Sequence, residues 1–253
     1  MNAPVRADRG PRALRPVQVV PGFHSMAEGS VLYRSGRNVV LVTASIDESV
    51  PEFMRGHGVG WVTAEYQMHP RSNPTRREKR DGRERPLNGR SKEIERLVGR
   101  ALRSAVRRDR LGERSVVVDC DVLEADGGTR TACITGGWVA LALALDRLRK
   151  TRKLPGPLLR DQVAAVSAGY VADELLLDLC YTEDSVARFD LNVVATGRGD
   201  IVELQGTAEG AAMSRSSMDA MVTLALEGIS ELCKAQRDAL SSAGVALEGL
   251  LAG

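Results

Sequence analysis

SVVVDCDVLEADGGTRTACITGGWVALALALDRLRK, residues 115–150, changes character twice. Residues 115–124 are rich in β-branched side chains and bounded by charge, which predicts a strand. Residues 138–150 predict a buried helix. Between them stand Gly127, Gly128, Thr129 and Arg130. A strand that runs through two glycines into a helix frees backbone N–H groups at the positive end of the helix dipole, an arrangement suited to an anion. Thr129 adds a hydroxyl, and Arg130 adds a planar fork that matches phosphate oxygens. A plain helix-start turn with an exposed arginine is the alternative.

Outward from that junction the chain reads as two similar halves, 1–150 and 158–253, each with strands followed by helix. The first opens with an irregular basic arm over 1–16 and a hairpin over 29–47, turning at Ser35-Gly36-Arg37-Asn38. Another strand is expected over 58–68. Residues 91–108 predict an amphipathic helix with Ser91 as N-cap, its apolar stripe running from Ile94 to Val106. On its opposite face Arg96, Arg100, Arg103 and Arg107 form a row. That row suits a phosphate backbone and equally the acidic surface of a neighbouring subunit. After a connector at 151–157, strands are expected over 162–171, 174–181, 190–196 and 200–206, then a long helix over 216–240. The overall class is α+β.

Composition narrows the function. With 43% hydrophobic and 27% charged residues, the chain is ordinary for a globular protein. Its longest apolar run is the eight residues 138–145, against the ~20 needed by a membrane helix. The first sixteen residues have no apolar leader segment, and the four cysteines show no close pairing. A cytoplasmic location with reduced thiols is expected, with no membrane partner. The net charge of +2 hides strong polarity: residues 71–110 carry 15 Lys/Arg against 6 Asp/Glu, leaving 20 against 27 elsewhere. Local excess of this kind predicts a polyanionic partner. Residues 70–90, with three prolines, two glycines and few apolar side chains, predict a long exposed loop of functional type.

Two further elements bear on chemistry. In NGRSKEI, Arg90 precedes a helix start just as the glycines precede the other, so Arg90 and Arg130 would grip one anion if both starts faced one site. In EDSVARFD, Asp184 and Asp190 close one strand and open the next. They are either ordinary surface-turn acids or a pair able to hold Mg²⁺ or protonate a leaving oxygen. Together these parts suggest phosphoryl transfer, where positive groups offset the repulsion between two anions.

Eight blocks, in order along residues 14–236, carry a resemblance: LRPV, AEGSVL, VTASIDESVPEF, GWVTAEYQMHPRS, GRSKEIERLVGRALR, DCDVLEADGGTRTACITG, EDSVARFDLNVV and ELQGTAEG. The chain resembles the ribonuclease PH family of phosphate-dependent 3′→5′ exoribonucleases. The resemblance implies two β/α halves like the second domain of ribosomal protein S5, in a ring-forming subunit that assembles as a homohexamer, a trimer of dimers. It implies trimming of tRNA precursors and other RNA 3′ ends with release of nucleoside diphosphates. Inorganic phosphate would be the co-substrate, bound by Arg90, Gly128, Thr129 and Arg130. Asp184 and Asp190 would be the catalytic pair and hold a divalent metal, Mg²⁺ by analogy with the family. Arg71, Arg76, Arg77 and Arg80 would contact RNA. The other function class is a catalytically inert RNA-binding ring subunit. The chain departs from the family's usual wording at His69, Glu124, Cys133 and Ala211-Ala212-Met213, none of which removes a residue assigned to chemistry.

Overall fold

The computed structural model describes residues 6, 8–74, 77, 89–154, 156–209 and 212–251. Arg76 and Arg80, two of the anticipated RNA contacts, lie outside the described residues. Strands β1 (Val17–Pro21), β2 (Gly29–Ser35), β3 (Asn38–Asp47), β4 (Trp61–Met68) and β5 (Ser115–Glu124) form a sheet ordered β1-β2-β3-β5-β4. Only the β4–β5 pair is parallel. Helices α1 (Gly89–Ala105), α2 (Arg108–Leu111) and α3 (Thr129–Arg152) complete the first half. Strands β6 (Val163–Val171) and β7 (Glu174–Leu177), the helical turn α4 (Tyr181–Asp184), strands β8 (Phe189–Thr196) and β9 (Ile201–Ala208), and helix α5 (Arg215–Ser242) make the second. Its sheet is antiparallel throughout, ordered β7-β6-β8-β9.

Helix α3 decides how the halves join. It packs on β2 and β3 of one sheet and on β6 of the other, so it is apolar all round rather than on one stripe. By length and composition it could cross a membrane, yet it lies buried between the sheets. The close approach to β2 requires Gly29, where a Cβ would stand 2.0 Å from the Ala140 carbonyl oxygen. The larger core therefore joins Val42, Val118 and Leu141 of the first half to Val163, Val194 and Leu240 of the second. The two halves of the sequence share one interior.

Three elements differ from their sequence expectation, and β1, α2 and α4 had none. Helix α3 starts at Thr129, not near Trp138, because the low-propensity segment TACITGG is buried along its whole length and packing overrides propensity. Helix α1 starts at Gly89, so Arg90 stands within its first turn and Ser91 is not the cap. It ends at Ala105 because Val106 bridges to Leu159 and the Arg107 N–H donates to the Leu158 carbonyl at 2.8 Å. Strand β7 stops at Leu177, four residues early: Asp178 adopts φ 54° and turns its carboxylate onto Arg15. The hairpin turn is as the sequence predicts: Ser35 pairs with Asn38, and Gly36-Arg37 are the two central residues that reverse the chain.

Candidate active site

The strand-to-helix junction is held by residues far away in sequence. Gly127 and Gly128 have φ of 77° and 69°, left-handed values that glycine adopts without a Cβ clash. A Cβ on Gly127 would also meet the Cys180 carbonyl carbon and the Tyr181 nitrogen at 2.7 Å. Here the first half touches the turn α4 of the second, and the Tyr181 N–H donates to the Asp126 carbonyl at 3.1 Å. Asn38, fully buried, accepts from the Asp126 N–H and donates to the Gly127 carbonyl, both at 2.5 Å.

Arg15 completes this frame. Its Nε and Nη2 donate to the two Asp178 carboxylate oxygens at 3.0 and 2.6 Å, and its Nη1 donates to the Asp126 carbonyl at 2.7 Å. Burial alone would lower the Arg15 pKa, but the hydrogen bonds and charge of Asp178 raise it, so the guanidinium stays charged. A paired, hydrogen-bonded charge is the form in which a buried arginine is tolerated.

With the junction fixed, α3 presents its N-terminus. The first intrahelical bond runs from the Ala132 N–H to the Gly128 carbonyl at 3.0 Å, so the N–H groups of Thr129, Arg130 and Thr131 have no acceptor within the helix. The Thr129 hydroxyl lies 2.9 Å from the Tyr66 hydroxyl. Burial, with the nearby Cys133, pushes the Tyr66 phenol well above its ordinary value. A phenol kept protonated can donate to Thr129, which leaves the threonine proton for an anion. Arg130 donates through Nη1 to the Gln205 side chain on β9, whose amide in turn donates to Glu93 on α1. One corner of the guanidinium fork is thereby anchored across three elements.

The acidic pair reaches the same place. Asp184 ends α4 and Asp190 stands on β8, opposite Gly169 of β6. Desolvation by surrounding protein is the first cause holding the Asp184 carboxyl above its usual range; Arg130, Arg90 and Arg15 oppose it. Asp190 is raised by burial and then by the like charge of Asp184, with Arg130 opposing. Because Asp184 feels both Arg90 and Arg130, and Tyr66 beside Thr129 also feels Arg90, the two arginines face one locality. Gly128, Thr129, Arg130, Arg90, Asp184 and Asp190 are brought together. Arg71 and Arg77 are exposed on the chain that follows β4. The arginine row is partly spent within the chain: Arg100 pairs with Glu203 at 2.9 Å, and Arg103 donates to the Val62 carbonyl and lies over the Trp61 ring at 4.5 Å.

Sequence reasoning missed the supports, namely Arg15, Asn38, Tyr66, Asp178 and Gln205. Of these only Asn38 carried a signal, as a turn residue, and it pointed to local structure. Among the described residues no group of three potential metal-ligating side chains occurs. Two carboxylates are nevertheless a fitting donor set for Mg²⁺, which keeps several waters and often takes its remaining oxygens from substrate phosphate.

Fold and site together define a class: an α+β protein of two fused β/α halves that sets an anion-binding helix start of one half against a carboxylate pair of the other. Known sequences and structures agree. The profile of the 3′ exoribonuclease family, domain 1, matches residues 13–145, and that of its domain 2 matches residues 161–228. The chain belongs to this 3′ exoribonuclease family. It is 49% identical over 241 residues to the ribonuclease PH of Parasynechococcus marenigrum (strain WH8102), covering 95% of this chain and 96% of that one. Rice (Oryza sativa) Rrp46 shares the fold with a TM-score of 0.74 at 18% identity, over 92% of this chain and 98% of that one. A chain of the Archaeoglobus fulgidus exosome with RNA bound to the active site gives a TM-score of 0.71 at 22% identity, over 89% and 90%.

Proposed function

We propose that this protein is a phosphorolytic 3′→5′ exoribonuclease that trims tRNA precursors. The observation that carries the reading is the convergence of Arg90, Arg130, Asp184 and Asp190 on the N-terminus of α3. Inorganic phosphate sits against the α3 N–H groups, accepts a hydrogen bond from the Thr129 hydroxyl, and is clamped by Arg90 and Arg130. One of its oxygens attacks the phosphorus of the last internucleotide link. The P–O3′ bond breaks, a nucleoside diphosphate leaves, and the new 3′ oxygen of the shortened RNA takes the proton given up by the attacking hydrogen phosphate. Two anions meet in this step, so positioning and charge offset are what the chain supplies. Asp184 and Asp190 would hold Mg²⁺, which when bound supplies charge stabilisation at the reacting phosphate. Arg71, Arg76, Arg77 and Arg80 would follow the RNA backbone. The sequence resemblance to the ribonuclease PH family extends the reading to a homohexamer.

The test is a 3′-extended tRNA incubated with and without phosphate. Nucleoside diphosphates formed only with phosphate, and RNA extension by excess nucleoside diphosphate, are expected. Nucleoside monophosphates, or turnover indifferent to phosphate, would refute the reading.

A pH dependence follows. The carboxyls of Asp184 and Asp190 are held above the ordinary carboxylate range, so protons bind them at a pH where free aspartate is ionised. Activity that needs the ionised pair is lost as pH falls through these raised values. The acid limb of kcat/KM is expected above pH ~4, the ordinary aspartate value. A limb at or below that value would show that the carboxyls are not raised in the working enzyme, as a cation bound between them would bring about.

A further inference from the structure

The N-terminal arm, irregular and basic, grips the turn that carries Asp184. Arg6 donates from Nε to Glu183 Oε1 and from Nη2 to Glu183 Oε2, each at 2.7 Å, and its Nη2 also reaches the Leu177 carbonyl at 2.9 Å. Both side chains are 4% exposed. Arg9 adds Nη2 to the Asp178 carbonyl at 2.9 Å and to Glu183 Oε2 at 3.4 Å, and the Leu177 N–H donates to the Pro11 carbonyl at 2.8 Å. Glu183 Oε2 further accepts from the Cys180 N–H at 2.9 Å.

Helix α4 is a single turn of four residues. A lone turn fixes several dihedrals for very few hydrogen bonds and does not hold itself. Glu183 is its buried residue, and Asp184 follows it directly. The bidentate Arg6–Glu183 pair is therefore the tie that sets where the next carboxylate points. Without Arg6, Glu183 would be left as a buried charge short of a partner and would be driven towards water, turning α4 with it.

We propose that Arg6 and Arg9 are positioning residues: the arm straps Glu183 down and so delivers Asp184 to Asp190 and the anion pocket. The catalytic consequence rests on the function proposed above; the strap itself is a structural claim that can be judged separately.

The full chain with Arg6→Ala, and with Glu183→Gln as the shape-conserving partner variant, is compared with wild type in the phosphate-dependent trimming assay and by amide hydrogen exchange over residues 180–187. Expected are faster exchange in that segment and a kcat lowered about 10²-fold, the scale of a misplacement near 1 Å. KM for phosphate and for RNA should stay within about twofold, since uniform binding is untouched. Millimolar guanidinium ion should restore part of the Arg6→Ala rate. Arg12→Ala, which breaks the exposed pair with Glu227, should leave all of these as in wild type. Should Arg6→Ala fail to fold, Glu183→Gln gives the same reading, because it keeps the side-chain shape and loses only the charge. Unchanged exchange overturns the strap, whatever the activity. Faster exchange with unchanged kcat overturns the positioning role. A wild type that releases nothing in response to phosphate removes the proposed function, and the exchange result still decides the strap.

Discussion

Replacing Arg130 by alanine is expected to lower phosphate-dependent release of nucleoside diphosphate by about 10²–10³-fold, the cost typical of removing one preorganised charge-stabilising donor. The fold should survive. Arg130 lies in the first turn of α3, and its side chain donates to Gln205 on a neighbouring strand. The lost interaction belongs to the anion and to the charge that develops when phosphate approaches the phosphodiester. RNA binding should therefore be retained, measured by direct titration at fixed salt. Arg130→Lys should be intermediate, since an ammonium keeps the charge and loses the fork. A variant as active as wild type would refute the phosphate site, and a wild type inert from the start would favour the non-catalytic ring subunit.

Breaking the buried Arg15–Asp178 pair should have the largest effect on stability. The two side chains are 3% and 7% exposed and bound at 2.6 Å. Arg15→Ala leaves the Asp178 carboxylate buried without its partner, which costs about 3–5 kcal/mol. For a chain of this size, with each kcal/mol worth roughly 2–4 °C, melting should fall by roughly 10 °C. Activity should fall further than stability explains, because Arg15 also holds the Asp126 carbonyl at the entrance to the anion pocket. The double variant Arg15→Met, Asp178→Leu separates the two effects. It should recover much of the melting temperature and little of the turnover. A melting point within a degree of wild type for Arg15→Ala would show that the buried pair contributes little to stability.

Much of the site could be read along the chain, and the reason is local. Gly127, Gly128, Thr129 and Arg130 are consecutive, and an anion-binding helix start needs only consecutive backbone and a strand-to-helix transition. The same logic placed β5 at residues 115–124, where it is observed. Element ends were less legible. α3 begins earlier than its sequence suggests because the two sheets bury residues that would not hold a helix in water. β7 ends early because Asp178 is drawn to an arginine 163 positions away. Asp184 and Asp190 could be read as turn acids or as a functional pair, and nothing in their spacing revealed that Glu183, the residue before Asp184, is tied to the N-terminal arm.

The sequence by itself determined the order of most strands and helices, though not β1, α2 or α4, together with the glycine-opened strand-to-helix junction and the residue types able to handle phosphate, since each depends on periodicity, turn chemistry and side-chain functional groups within a few residues. Only the tertiary structure decided that Arg90 and Arg130 share a locality with Asp184 and Asp190, and that Arg15, Asn38 and Gln205 hold them there. Those placements come from the packing of α3 between two sheets and from hydrogen bonds spanning the two halves, and such long-range contacts leave no periodic trace in the chain.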